Sequence, residues 1–266
     1  MCQDCGCLET EHVTVGQSPF RVISQKTMVH THQEHLRPDQ GNTTKKISIK
    51  QEVLQKNNHI AAHNREHFIA QRVFCLNWIS APGSGKTSIL EKMIRDLNSE
   101  FPMAVIEGDQ QTDRDAQRIS NAGAPVVQIN TGAACHLDAE MIHQAWHQLQ
   151  QPSIRWLMIE NVGNMVCPTA YDLGEAMKIA VISCPEGEDK PVKYPDLLLT
   201  AKVLLINKID LLPYLDFDLQ ACISFSRKVN PDMMIFPVSA KTGEGFNDFY
   251  NWLRRTHVSG HTHESD

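Results

Sequence analysis

The sequence predicts an α/β protein in which a mostly parallel sheet carries helices on both faces. Two observations lead to this. From residue 73 onward, short apolar runs alternate with amphipathic stretches of helical period, at 73–79, 103–106, 125–129, 154–159, 178–183, 203–206 and 234–238 for the strands. The first run enters Ser80-Ala81-Pro82-Gly83-Ser84-Gly85-Lys86-Thr87, and a helical pattern at 88–97 leaves it. Strand, glycine-rich turn and helix in that order form a phosphate-binding loop.

Each element has its own signal. Residues 1–44 are polar and without sustained period, which predicts a flexible arm that begins with Cys2, Cys5 and Cys7 and carries His30, His32 and His35. Residues 45–72 turn helical, with Ile49, Val53, Ile60 and Phe68 broadly on one side, and Asn57-Asn58 is a point where the helix could divide. His59, His63 and His67 share a face of it; a solvated or partner-facing surface is the expected role, and a metal stripe the alternative. Further helices are expected at 112–122, 138–148, 217–228 and 246–254, with a Pro-rich loop or short helix at 183–200. Together 73–255 make one nucleotide-binding domain, and 256–266 a disordered tail holding His257, His261 and His263.

Composition narrows the function classes. A formal charge of −6 gives no electrostatic case for nucleic acid or an anionic membrane. No apolar run approaches the roughly 18 residues of a membrane span, and the N-terminus shows no secretory pattern. Eight cysteines without such a signal point to a reducing, cytoplasmic setting in which thiols serve metal or catalysis.

The phosphate loop assigns specific roles. Gly83 and Gly85 let backbone N–H groups of 83–88, including those of Ser84 and Ser88, turn toward an anion; Lys86 reaches the β- and γ-phosphates, and Thr87 offers its hydroxyl to Mg²⁺. Ser80 stands where the motif has its first glycine. The run 203–206 ends in Asn207-Lys208-Ile209-Asp210. A carboxylate at Asp210 can accept from guanine N1–H and the 2-amino group together, and adenine offers neither. Asn207 can bridge loops, the Lys208 stem can pack on the ring, and Ser239-Ala240-Lys241 after the next strand can present an N–H to guanine O6. The nucleotide is therefore GTP or GDP. Asp109 and Glu160 each end a strand with a carboxylate near the Mg²⁺ position, and Gly163 follows Glu160 with freedom to turn toward a γ-phosphate. Hydrolysis is expected to be slow.

The thiols form two groups. Cys2, Cys5 and Cys7 flank Gly6 closely enough to close a chelate at small entropic cost, with a labile disulfide or half a zinc ribbon as the other readings. Cys135-His136 and Cys167 each follow a strand, which puts them at the carboxyl edge of the sheet on the nucleotide side.

With Cys2-x-x-Cys5-Gly6-Cys7, the loop 80–87, Glu107-Gly108-Asp109-Gln110-Gln111-Thr112, Asn130-Thr131-Gly132, Cys135-His136-Leu137-Asp138, Glu160-Asn161-Val162-Gly163-Asn164 and Cys167-Pro168 in hand, the chain resembles the HypB family of hydrogenase maturation GTPases from about 53 to 253 and over its first seven residues. The resemblance implies a SIMIBI-class P-loop GTPase fold, a homodimer promoted by GTP or metal, and slow hydrolysis coupled to nickel delivery into [NiFe]-hydrogenase large-subunit precursors. It implies as partners a HypA-type zinc/nickel accessory protein and, in some bacteria, a SlyD-type nickel chaperone. It maps a tight Ni²⁺ site onto Cys2, Cys5 and Cys7, a weaker Ni²⁺ or Zn²⁺ site onto Cys135, His136 and Cys167, and Mg²⁺ contacts onto Thr87, with Asp109 and Glu160 nearby. The chain departs from family members that store nickel on a long His-rich stretch. A urease-type nickel-insertion GTPase is the runner-up, although Thr169 follows Cys167-Pro168 where that family has histidine; a metal-buffering protein with a vestigial nucleotide site is the rival of another class.

Overall fold

A computed structural model describes residues 21–24, 42–110, 112–149 and 152–260. Cys2, Cys5, Cys7, His30, His32, His35, His261 and His263 lie outside the described residues. Among the described residues eight parallel strands form one sheet: β1 (Arg21–Ser24), β2 (Phe74–Ser80), β3 (Met103–Asp109), β4 (Val126–Asn130), β5 (Trp156–Glu160), β6 (Met177–Ser183), β7 (Ala201–Asn207) and β8 (Met234–Pro237). Their spatial order is β1-β4-β3-β5-β2-β6-β7-β8. Strand β2, which feeds the phosphate loop, lies between β5 and β6, with β3, β4 and β5 laid to one side and β6, β7 and β8 to the other, so its carboxyl end is the switch point at which such sheets bind ligands.

The period of two along each strand sorts the core onto two faces. On one face Leu76, Trp78, Val105, Trp156 and Met158 pack under α2 (Lys86–Leu97), α3 (Arg114–Ala122) and α8 (Phe246–Gly260), to which Ile89, Leu90, Met93, Ile119, Phe246 and Phe249 belong. On the other face Cys75, Ala104, Ile106, Leu157 and Ile159 meet α1 (Asn42–Ala70) and α4 (Ala139–Leu149) through Phe68, Ile142 and Trp146. Toward the β7 edge Ile79, Ala180, Ile182, Leu204 and Ile206 pack under α6 (Pro195–Thr200) and α7 (Leu219–Val229), and the short α5 (Lys190–Lys193) precedes them. Burying each large apolar side chain contributes about 1.5–3 kcal/mol before chain entropy is counted. No helix among the described residues is long and apolar enough to cross a membrane.

Three features differ from expectation. Helix α1 runs unbroken from Asn42 through Asn57-Asn58. The Asn57 side chain is buried there: its Nδ2 donates to Asp172 O at 2.8 Å and its Oδ1 accepts from Ala139 N at 2.9 Å. Long-range partners thus outweigh the residue's low helix propensity. Strand β1 falls inside the stretch expected to be an arm, pairing with β4 from Arg21↔Val127 to Ser24↔Asn130. Helix α8 continues to Gly260, because the His257 ring packs against Phe74, Phe101 and Trp156 instead of entering a free tail.

Candidate functional site

The phosphate loop closes through its own side chains. Gly83 and Gly85 take φ of +78° and +99°, a left-handed conformation that side chains rarely adopt. A Cβ at Gly85 would also lie 2.5 Å from Asn207 Nδ2, so this glycine makes room for the base-reading loop. Lys86 is buried, and its Nζ donates to Ser80 Oγ at 2.8 Å. Ser80 at the first motif position therefore has a role that glycine could not fill: its hydroxyl parks the lysine. Burial holds the Lys86 pKa below the ordinary lysine value, although Glu160, Asp115 and Glu107 pull it the other way. Ser84 Oγ lies 2.7 Å from Glu186 Oε1, whose other oxygen accepts from Ser183 N at 2.9 Å, tying the loop to the end of β6. Ser88, in the first turn of α2, accepts from Arg118 Nη2 at 2.8 Å.

The base-reading loops are stapled to the phosphate loop. Asn207 Nδ2 donates to Ser84 O at 2.9 Å, and Asn207 Oδ1 accepts from Ala240 N at 3.1 Å. Lys208, at φ +64°, lays its stem over the loop and donates from Nζ to Gly83 O at 2.7 Å. Asp210 Oδ1 accepts from Ser239 Oγ at 2.6 Å, which fixes one carboxylate oxygen and orients the other. Lys241, the last residue of this set, is exposed.

Carboxylates meet at the carboxyl ends of β3 and β5. Thr87 Oγ1 donates to Glu160 Oε1 at 2.7 Å, while the buried Glu160 Oε2 has no hydrogen-bond partner among the described residues. An orphaned buried carboxylate oxygen beside a threonine hydroxyl suits a hard divalent cation such as Mg²⁺, which takes oxygen ligands. Burial raises the Glu160 pKa to about 7, against the opposing pull of Lys86 and the Thr87 hydrogen bond. Asp109 sits further out, accepting from Thr112 N and Oγ1 at 3.3 Å each. Sequence reasoning missed Glu107. It pairs in register with Glu160 on the neighbouring strand and, with Asp109 and Asp115, brings carboxylate oxygens within 4.8 Å of one another. Burial, then Glu160 and Asp109, push its pKa to about 9. The strand period of two, which aims 105, 107 and 109 at one face, was the available signal.

The second thiol group does come together. Cys135, His136 and Cys167 offer three ligand atoms within 4.8 Å of one another, all half-buried. Cys135 Sγ is 3.7 Å from His136 Nδ1, and the His136 ring stacks on Tyr171 at 3.9 Å between centroids. Hydrogen bonding to Cys167, followed by burial, raises the Cys135 pKa; burial lowers that of His136, leaving a neutral imidazole. Two thiols and an imidazole suit nickel or zinc, which would displace the thiol protons.

Asn161 joins the two centres, and sequence reasoning gave it no role. It follows Glu160 and is buried. Its Oδ1 accepts from Leu137 N at 3.2 Å, directly after His136, and its Nδ2 donates to Asn77 Oδ1 on β2 at 3.2 Å. Gly163, in the same segment, abuts the phosphate loop: a Cβ there would lie 3.0 Å from Pro82 Cγ. Asn164 Oδ1 accepts from Val166 N and Cys167 N at 2.8 and 3.2 Å. One short segment thus touches the Thr87–Glu160 pair, the phosphate loop and the thiols.

Residues 77–237 match the CobW/HypB/UreG nucleotide-binding domain. The hydrogenase maturation factor HypB of Azotobacter chroococcum mcd 1 is 54% identical over 209 residues, covering 79% of this chain and 68% of the relative. The crystal structure of Helicobacter pylori HypB in complex with nickel superposes with a TM-score of 0.74 at 38% identity, covering 79% of this chain and 99% of that one. The Archaeoglobus fulgidus HypB structure gives 0.72 at 32% identity, covering 77% and 100%. A phosphate loop stapled to a guanine-type base loop, a Cys-His-Cys cluster tied through Leu137 to the residue after Glu160, and this degree of identity together place the chain in the CobW/HypB/UreG family, among the HypB hydrogenase maturation factors.

Proposed function

We propose that the protein is a slow GTPase that uses its nucleotide state to control nickel held at Cys135, His136 and Cys167, and delivers that nickel into [NiFe]-hydrogenase large-subunit precursors. The observation that carries this reading is the path Thr87–Glu160–Asn161–Leu137–His136, in which two hydrogen bonds and two peptide links separate the nucleotide's cation position from the metal cluster. Nickel in the Helicobacter pylori HypB crystal supports the choice of cargo.

The residue roles follow from position. In the nucleotide-bound protein Lys86 leaves Ser80 Oγ for the β- and γ-phosphates, and the N–H groups of 83–88 surround the phosphate oxygens. Mg²⁺, held by Thr87 and Glu160 with Asp109 in reach, would neutralise charge developing on the β–γ bridge. Asp210 selects guanine, and Asn207, Lys208, Ser239, Ala240 and Lys241 hold the base loop. A γ-phosphate that repositioned Gly163 against Pro82 would, through the same segment, shift Cys167 relative to Cys135. Cys2, Cys5 and Cys7 are assigned the tight nickel site on an N-terminal arm that precedes the G domain. The expected partners are a second copy of the chain, a HypA-type accessory protein and, where present, a SlyD-type chaperone. The Helicobacter pylori relative, a hydrogenase/urease maturation factor 39% identical over 230 residues, makes urease delivery the second reading.

Removing the Lys86 charge with Lys86→Ala should lower GTP turnover by about 10²–10³-fold; unchanged turnover would refute the assignment. Asp210→Asn should weaken GTP about tenfold to a hundredfold and raise relative affinity for the xanthine nucleotide, whose 2-oxo group suits the amide. Competition binding with both nucleotides measures this, and an unaltered preference would contradict the base contact.

A further inference from the structure

Helices α1 and α4 bring four histidines to one place. His63 and His67 stand one turn apart on α1, and His143 and His147 one turn apart on α4. The ring centroids of His63 and His67 are 4.2 Å apart, His63 and His143 5.2 Å, His143 and His147 4.5 Å, and His67 and His147 5.9 Å. One ligand nitrogen each from His63, His67 and His143 lies within 4.8 Å of the other two. His147 Nε2 is 3.2 Å from His143 Nε2. Two imidazole nitrogens on one tetrahedral ion, each at 2.0–2.1 Å, stand about 3.3 Å apart, so this spacing is that of ligands sharing a cation.

The protonation pattern is set by a neighbour. Asn64, buried between the helices, points Nδ2 at Ala139 O and Leu173 O, at 2.8 and 3.2 Å. Only the amide nitrogen can donate to two carbonyls, so Oδ1 faces His143 Nδ1, 3.0 Å away, which therefore carries the hydrogen. The lone pair of His143 is left on Nε2, toward the other rings. Such an outer hydrogen bond is how ligating histidines are oriented. Burial followed by the neighbouring imidazoles lowers the pKa of His67 and of His143. Two helical i, i+4 histidine pairs facing each other supply an all-nitrogen donor set, which favours late first-row divalent ions over Mg²⁺ or Ca²⁺.

We propose that His63, His67 and His143, with His147 beside His143 as a fourth ligand in reach, form a further transition-metal site, taking Ni²⁺ or Zn²⁺, distinct from both cysteine groups. An ion there staples α1 to α4, the helix that follows His136. The inference goes beyond the nucleotide-gated reading and does not depend on it.

The test uses the full chain with Cys2, Cys5, Cys7, Cys135 and Cys167 changed to Ser and His136 to Gln, titrated with Ni²⁺ alone. The site predicts one tightly held ion per chain, an absorption spectrum without thiolate charge-transfer bands, and a higher unfolding temperature with metal than with EDTA. In that background His63→Gln with His67→Gln, and separately His143→Gln, should weaken Ni²⁺ at least tenfold and abolish the metal-induced thermal shift, whereas His59→Gln should change neither. The EDTA unfolding midpoints show whether each variant is folded, and the single His143→Gln change leaves α1 intact. Ni²⁺ affinity and thermal shift that survive both the paired and the single variants would overturn the proposal.

Discussion

Lys86, Glu107 and Glu160 form a buried group in which one cation faces two carboxyls, so without ligand the two carboxyls cannot both ionise at low cost. Glu107 is the residue least suited to ionise. Its folded pKa near 9 lies well above the unfolded value near 4.5, so the folded state holds a proton that the unfolded chain releases. Its cost to stability is absent below about pH 4.5, grows as pH rises, and levels off above about pH 9. Glu107→Gln keeps the shape and removes the titration. Thermal unfolding of the nucleotide-free protein in EDTA should show little gain for this variant at pH 4.5, and a gain on the order of a few kcal/mol at pH 8. An equal effect at the two pH values would show that Glu107 ionises as freely in the folded protein as in the unfolded one. The functional sense of the cluster is that bound Mg²⁺ would supply the missing positive charge, so apo strain becomes ligand affinity.

Helix α1 is held to the domain by polar side chains more than by an apolar stripe. Asn57 reaches Asp172 O and Ala139 N, Asn64 reaches Ala139 O and Leu173 O, and Arg65 Nη2 meets both Asp172 carboxylate oxygens at 2.7 Å. These contacts bear on the segment that follows Cys167, so α1 braces the metal cluster from behind. Asn57→Ala leaves two backbone groups unpaired and should cost about 2–4 kcal/mol in chemical denaturation, while the exposed Asn58→Ala should stay within about 0.5 kcal/mol. Similar losses for the two variants would remove the anchoring role. This contrast also marks the limit of local reading. Two adjacent asparagines carry the same propensity, and only the fold decides that one is buried 115 residues away from its partner Asp172. The strands, by contrast, were legible, because runs such as 203–206 are apolar wherever they pack, and Asn207-Lys208-Ile209-Asp210 has its meaning at the end of any such strand.

At the scale of the molecule, parallel topology brings distant words of the sequence to one edge of the sheet. Gly85 follows β2, and Glu160 and Asn207 end β5 and β7, which is why their motifs could be named from the chain and joined only in space. The Cys135-His136 and Cys167 pair was legible as two strand-end positions. What the chain could not display was Asn161 as the link between them and the cation position, since an asparagine after Glu160 has no periodic or compositional mark. The central claim is that this link makes nickel release depend on nucleotide. It is tested by following transfer of Ni²⁺ to a chromophoric chelator from the full chain with Cys2, Cys5 and Cys7 changed to Ser, with GTP and Mg²⁺, with GDP and Mg²⁺, and with no nucleotide. The account predicts that the GTP and GDP rates differ severalfold and that Asn161→Ala brings them together; equal rates in all three states would contradict it.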